Sequence, residues 1–89
     1  MTLIVKRKGR KEDFDSRKVY ASVYAACRNG HLNEQDAETI ADKVSKELEA
    51  QLKDKVEVDS NQIFIMATQA LKKHHEDAAF MYETHRDVS

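Results

Sequence analysis

The residues with the most chemical potential are crowded into one stretch, Val5-Lys6-Arg7-Lys8-Gly9-Arg10-Lys11-Glu12-Asp13-Phe14-Asp15-Ser16-Arg17-Lys18-Val19. A basic strand leads into a turn, then an acidic–aromatic segment, then the start of a helix with basic residues in its first turn. Arg17 and Lys18 oppose the helix dipole there, at a cost of roughly a few tenths of a kcal/mol. A bound anion offsets that cost, because free helix N–H groups and Lys or Arg side chains then aim at the same charge. A solvated hairpin edge uses the same residue types, since lysines on an edge strand deter aggregation. Residue types alone leave both possibilities open.

Other chemistry finds less support. The possible metal ligands are Cys27, His31, His74, His75 and His85, with neither a C-x-x-C nor an H-E-x-x-H among them. His74 and His75 diverge by about 100° on a helix and cannot both face one ion. Cys27 falls on an apolar stripe and is expected to be a buried small hydrophobe. Ser16, Ser22, Ser45 and Ser60 have no neighbouring base, and the carboxylates sit on helix faces as ordinary surface charge. Only two glycines occur, with no G-x-x-x-x-G-K and no G-x-G-x-x-G, so a glycine-rich phosphate loop is excluded. No catalytic residue and no metal site is expected; the chain reads as a binding or regulatory unit and not an enzyme.

The elements that must position these residues follow from periodicity. The 89 residues suit one domain, 1–89, with a thin core. An apolar fraction of 40%, a charged fraction of 35% and no proline predict a folded chain of long regular elements. Residues 2–14 form a β-hairpin in which Leu3 and Val5 point one way and Ile4 and Lys6 the other, with Gly9 supplying a positive φ at the turn. Asp15 caps a helix over about 16–28, with Val19, Val23, Ala26 and Cys27 inside and Gly30 as its stop. Asn33 caps a second helix, 34–53. A short strand is expected at 55–58. Asp59-Ser60 opens a third helix, 60–73, and a fourth covers 76–86, presenting Ala78, Ala79, Tyr82 and His85. The fold class is α+β: a small three-stranded sheet, made of the hairpin and one later strand, packed on a four-helix bundle.

Charge is unevenly spread. Residues 1–30 carry eight basic and three acidic side chains, a balance of +5, and the remainder carries −6. An anionic ligand would meet the first third. No apolar run is long enough for a membrane span, and a lone cysteine suits a reducing, cytoplasmic setting.

These residues resemble a known family. Lys6-Arg7, Gly9, Glu12, Phe14-Asp15 and Lys18 look like the opening signature of the ATP-cone domain. Val58-Asp59-Ser60-Asn61-Gln62-Ile63 looks like its second motif, a strand entering a helix. Leu71, Ala78-Ala79, Tyr82 and Arg86 sit where the family's last two helices carry small, aromatic and basic residues. The resemblance spans essentially the whole chain. It implies a regulatory module of the kind found in ribonucleotide reductases and in the repressor of their genes, binding ATP or dATP, with Mg2+, between sheet and bundle. The implied roles are Val5 on the adenine ring, Lys6 and Arg7 on phosphates, Glu12 accepting from the adenine amino group, and Asp15 near the base. Lys18 and Ser60 would reach phosphate, and Arg86 is the nearest match to a basic residue of the last helix. Phe64 stands where some members carry a polar side chain near the sugar. The chain lacks the four-cysteine zinc ribbon of the repressor.

The expected partners are therefore an adenine nucleotide and either a second copy or a parent ribonucleotide reductase, with no membrane and with nucleic acid unlikely. The alternatives are a small nucleic-acid-binding module using the basic hairpin and a helical interaction domain without a ligand. Acidic helices and the lack of an exposed aromatic row interleaving the basic residues weigh against the first.

Overall fold

Short alternating segments at the N-terminus pair into strands, and the amphipathic stretches that follow supply helices to cover them. The computed structural model describes residues 2–84, with the side chain of Arg7 outside the description. Strand β1 (Leu3–Val5) is followed by a 3-10 turn (Arg7–Gly9), strand β2 (Lys11–Asp13) and helices α1 (Ser16–Asn29) and α2 (Glu34–Leu52). Strand β3 (Glu57–Asp59) then leads directly into α3 (Ser60–His74), and α4 (Glu76–Thr84) completes the described residues. The sheet order is β2-β1-β3. β1 pairs antiparallel with β2, with Ile4 opposite Glu12, and parallel with β3, with Ile4 opposite Val58. The parallel pairing is possible because α1 and α2 form the long crossover it requires.

Four helices and a mixed three-stranded sheet make the fold α+β, as the periodicities predict. The helical stripes are buried as expected. Val19, Val23, Ala26 and Cys27 of α1 pack against Ala37, Ala41, Val44, Leu48 and Leu52 of α2, and Ile63, Ala67, Ala70 and Leu71 of α3 join them. Ala78 and Ala79 bring α4 onto the same core, and Val58 with the half-buried Ile4 ties in the sheet. The N-terminus is stitched down by Thr2. Its hydroxyl lies 2.8 Å from the Leu52 carbonyl and 2.9 Å from that of Lys55, while its own carbonyl accepts from the Phe14 N–H at 2.8 Å.

Local details differ from the expectations at the third strand, the hairpin turn and the end of α1. The third strand lies at Glu57–Asp59 and not 55–58, because Leu3 N–H bonds the Val56 carbonyl and pairing begins beyond it. The hairpin turn uses two left-handed residues, Lys8 (φ 67°) as well as Gly9 (φ 77°). The last two residues expected in the fourth helix, His85 and Arg86, lie outside the described residues.

The end of α1 carries the most informative difference. Gly30 has an ordinary φ of −84°, and His31 takes the left-handed conformation at φ 72°. His31 N–H bonds the Arg28 carbonyl and Leu32 N–H bonds that of Cys27, which is the Schellman arrangement with histidine in the place usually held by glycine. Glycine at position 30 serves a close approach instead: a Cβ there would stand 3.3 Å from Ala78 Cα in α4. Two substitutions separate these roles in urea unfolding. Gly30→Ala should lower stability although its φ suits alanine. His31→Gly should be neutral or gain up to about 1 kcal/mol, by releasing a left-handed side-chain residue.

Candidate functional site

The strand period of two and the helix period of 3.6 bring the chemically loaded residues into one cleft. Ile4 of β1 and Lys6 just beyond its end face the cleft, and the register sets Glu12 beside Ile4 on the same side of the sheet. Beyond β2, Phe14 turns inward and Asp15 caps α1. One helical turn further, Lys18, Val19 and Ser22 share a face. From the other side, the β3–α3 junction contributes Ser60 and Ile63. Together they line an open cleft of about 190 Å³, with Ile4, Phe14, Val19 and Ile63 as its apolar surface and Lys6, Glu12, Asp15, Lys18, Ser22 and Ser60 as its polar groups. Pockets that bury a whole ligand usually run to roughly 300–1,000 Å³. This one has the form of a seat for a flat apolar group, with charged residues at its open side.

The electrostatic centre is Glu12. Its Oε1 lies 3.1 Å from Lys6 Nζ and 3.6 Å from Lys18 Nζ, so two ammonium groups converge on one carboxylate oxygen. Glu12 and Lys6 are about equally half-buried, at 29% and 28% side-chain exposure, while Lys18 is 69% exposed. The hydrogen bond from Lys6, helped by the charges of both lysines, holds the Glu12 carboxyl below the usual glutamate range. Asp15 is engaged differently. The Arg17 guanidinium forks onto both its oxygens at 3.1 Å, and Oδ1 also accepts the Arg17 backbone N–H at 2.9 Å. These bonds lower the Asp15 pKa, with the guanidinium bond the larger cause. At the start of α3 the cap is Asp59, which accepts from Asn61 N–H at 2.7 Å; Ser60 follows at the first helical position and turns to the cleft.

Of the residues expected at a site, Lys6, Glu12, Asp15, Lys18 and Ser60 come together. Val5 does not line the cleft. It pairs with Lys11 and Asp59, and alternation turns it to the opposite face of the sheet, so the β1 apolar contact falls to Ile4. The alternation of Ile4 with Lys6 was the signal for this, since Val5 and Lys6 cannot face the same side. The backbone of Arg7 opens the 3-10 turn, and Arg86 lies outside the described residues. Phe14, Val19 and Ile63 carried no expected ligand role, because core packing accounts for them equally well, and Ser22 stands in the sequence as a serine without a neighbouring base. Phe64 stacks on Tyr82 with centroids 5.3 Å apart and does not line the cleft. Cys27 is buried, and desolvation pushes its thiol up to about 11, so it stays protonated. Among the described residues no three His, Cys, Asp or Glu side chains gather where they could hold a metal ion.

The Glu12 cluster has a pH signature. Its folded pKa lies below the unfolded value, so its stabilising contribution is fully present above the usual glutamate range and is lost as pH falls through the folded value. Thermal unfolding across acid pH should show Glu12→Gln less stable than the parent near neutrality, with the difference vanishing in acid. Salt should shrink it, as it does any exposed ion pair.

Known proteins match this chain along most of its length. The ATP cone domain model matches residues 2–87. The transcriptional repressor NrdR of Carboxydothermus hydrogenoformans is 33% identical over 91 aligned residues, which cover 98% of this chain. The chain spans 58% of that repressor's length. Among solved structures none matches. With a transcriptional repressor among its relatives, the expectation that nucleic acid is an unlikely partner loses its footing. The match across nearly all 89 residues identifies the chain as a member of the ATP-cone family of nucleotide-binding regulatory domains.

Proposed function

We propose that this chain is one ATP-cone unit that binds ATP or dATP in the Lys6–Glu12–Lys18 cleft and changes its association with a partner when occupied. The observation that carries this is the convergence of an apolar seat, a carboxylate and two lysines at one helix start. A purine needs a flat apolar contact, which Ile4, Phe14 and Ile63 offer. Its amino group needs an acceptor, and Glu12 or Asp15 supplies one. A triphosphate needs cations and free N–H groups, which Lys6, Lys18 and the Ser60 end of α3 provide. The family resemblance adds Arg7 and Arg86 as candidate phosphate contacts, and Mg2+ as companion of the triphosphate.

The unit performs no chemistry on the nucleotide: the site offers binding groups, and any catalysis belongs to a partner or parent chain, for which a ribonucleotide reductase is the leading candidate. The relation to a repressor supports a second output, control of transcription, with nucleic acid as a partner of the longer protein. The surface for transmission is the helical bundle, where Tyr20, Tyr24 and Met66 are half-buried against the core, Met81 is half-buried, and Tyr20 and Tyr24 stack with centroids 6.4 Å apart. The single, buried Cys27 suits a reducing, cytoplasmic setting. No helix among the described residues is long and apolar enough to cross a membrane.

Calorimetric titration tests the binding reading. ATP should bind more tightly than GTP, whose carbonyl would face a carboxylate; equal affinities would contradict it. Lys6→Ala and Lys18→Ala should each weaken ATP binding by roughly 1.5–3 kcal/mol, the scale of a charge-assisted hydrogen bond. Both should keep stability within about 1 kcal/mol of the parent, since surface changes cost little. Sedimentation with ATP, dATP and no nucleotide should show a shift in mass distribution, alone or with a parent chain. An unchanged distribution throughout would contradict the assembly output, and steady phosphate release at an enzyme-like rate would contradict the regulatory one.

A further inference from the structure

The carboxylate of Glu12 holds the two cleft lysines that a phosphate would seek. Both ammonium groups meet the same oxygen, at 3.1 and 3.6 Å. The purine amino group lies at the far end of a nucleotide from its phosphates. Lys6 and Lys18 therefore cannot remain on a Glu12 that receives the base and also reach the phosphates. One set of partners must be exchanged for the other.

We propose that Glu12 is an internal counter-anion that competes with phosphate for Lys6 and Lys18, and that the cleft thereby discriminates against phosphate-only ligands. The inference rests on the proposed nucleotide reading and deepens it. A polyphosphate without a base strips both lysines from Glu12 and leaves that carboxylate half-buried with no cation. A nucleotide that presents an amino group gives Glu12 a new donor as the lysines leave, so the loss is made good within the same complex. The lowered pKa of Glu12 agrees with how firmly the lysines hold the charged form. Asp15 is a poorer competitor, because both its oxygens are taken by Arg17 at the rim. The position of Glu12 thus makes affinity for the anionic tail conditional on the head group, a filter that a simple basic patch lacks.

The test is titration of inorganic tripolyphosphate and of ATP into the parent chain, Glu12→Gln and Asp13→Asn. Asp13 is exposed on the same strand, and alternation turns it to the opposite face of the sheet, so its substitution makes the same change in net charge away from the lysines. Glu12→Gln should bind tripolyphosphate roughly two- to tenfold more tightly than the parent, the range expected for releasing two surface ion pairs. Its ATP affinity should not rise in step, so the preference for ATP over tripolyphosphate should narrow. Asp13→Asn should leave that preference unchanged. Glu12→Ala provides a second removal if the glutamine bonds the lysines itself, and thermal unfolding verifies that each variant is folded. An equal gain in Asp13→Asn, an unchanged or weaker tripolyphosphate affinity in both Glu12 variants, or no tripolyphosphate binding by any of the proteins would overturn the proposal. If ATP fails to bind the parent while Glu12→Gln still gains tripolyphosphate affinity, the nucleotide reading fails and the competition stands.

Discussion

The register of β1 is the constraint on which the site depends. Ile4 stands between Glu12 on one side and Val58 on the other, and this row faces the helices. A slip of one residue would send Ile4 and Lys6 to the outer face and bring Val5 inward. The apolar seat would lose its strand contact, and Glu12 would lose its nearer lysine. Several bonds oppose such a slip. Thr2 is tied to the end of α2, the Thr2 carbonyl accepts from Phe14, and Leu3 bonds the segment ahead of β3. On the outer face Lys11 reaches across β1 to Glu57 at 2.6 Å. That pair is exposed and adds little energy, but its geometry agrees with the register that the buried row requires.

Around that register the chain separates its charges by function. The acidic excess is spread over the helices, whereas the basic excess is gathered in the hairpin and the first turn of α1. Arg17 and Lys18 stand where the helix dipole disfavours cations, and the structure gives each a carboxylate close by, Asp15 for Arg17 and Glu12 for Lys18. The site thus pairs its three cations with two carboxylates near the surface and keeps one positive charge in excess. Such a site can take up an anion by rearranging side chains, with no need to open the core.

Much of this was legible in the residues because two periodicities dominate the chain. The stripes Val19-Val23-Ala26-Cys27 and Ala37-Ile40-Ala41-Val44-Leu48-Leu52 identify two core helices directly; all of these residues are buried except Ile40, which is partly buried against the core. Asp15, Asn33 and Asp59 announce their helix starts through short side chains that each accept a backbone N–H. What was not legible depended on contacts distant in sequence. Gly30 reads as a left-handed stop until Ala78 is found against it, and His31 carries the turn instead. Val5 resembles a base-stacking residue until its face of the strand is known. The convergence of Lys6 and Lys18 on a single oxygen of Glu12 needs a strand, a neighbouring strand and a helix to meet, which local pattern does not specify.

The measurement that bears most directly on the proposed nucleotide cleft is a titration of the isotope-labelled chain with ATP, followed through its backbone amide resonances. Saturable shifts should be largest at Ile4, Lys6, Glu12, Lys18 and Ser60, the residues that β1, β2, α1 and α3 bring together. Shifts confined to the exposed hairpin turn around Lys8 and Arg10, or no saturable shifts, would contradict a nucleotide site in the cleft.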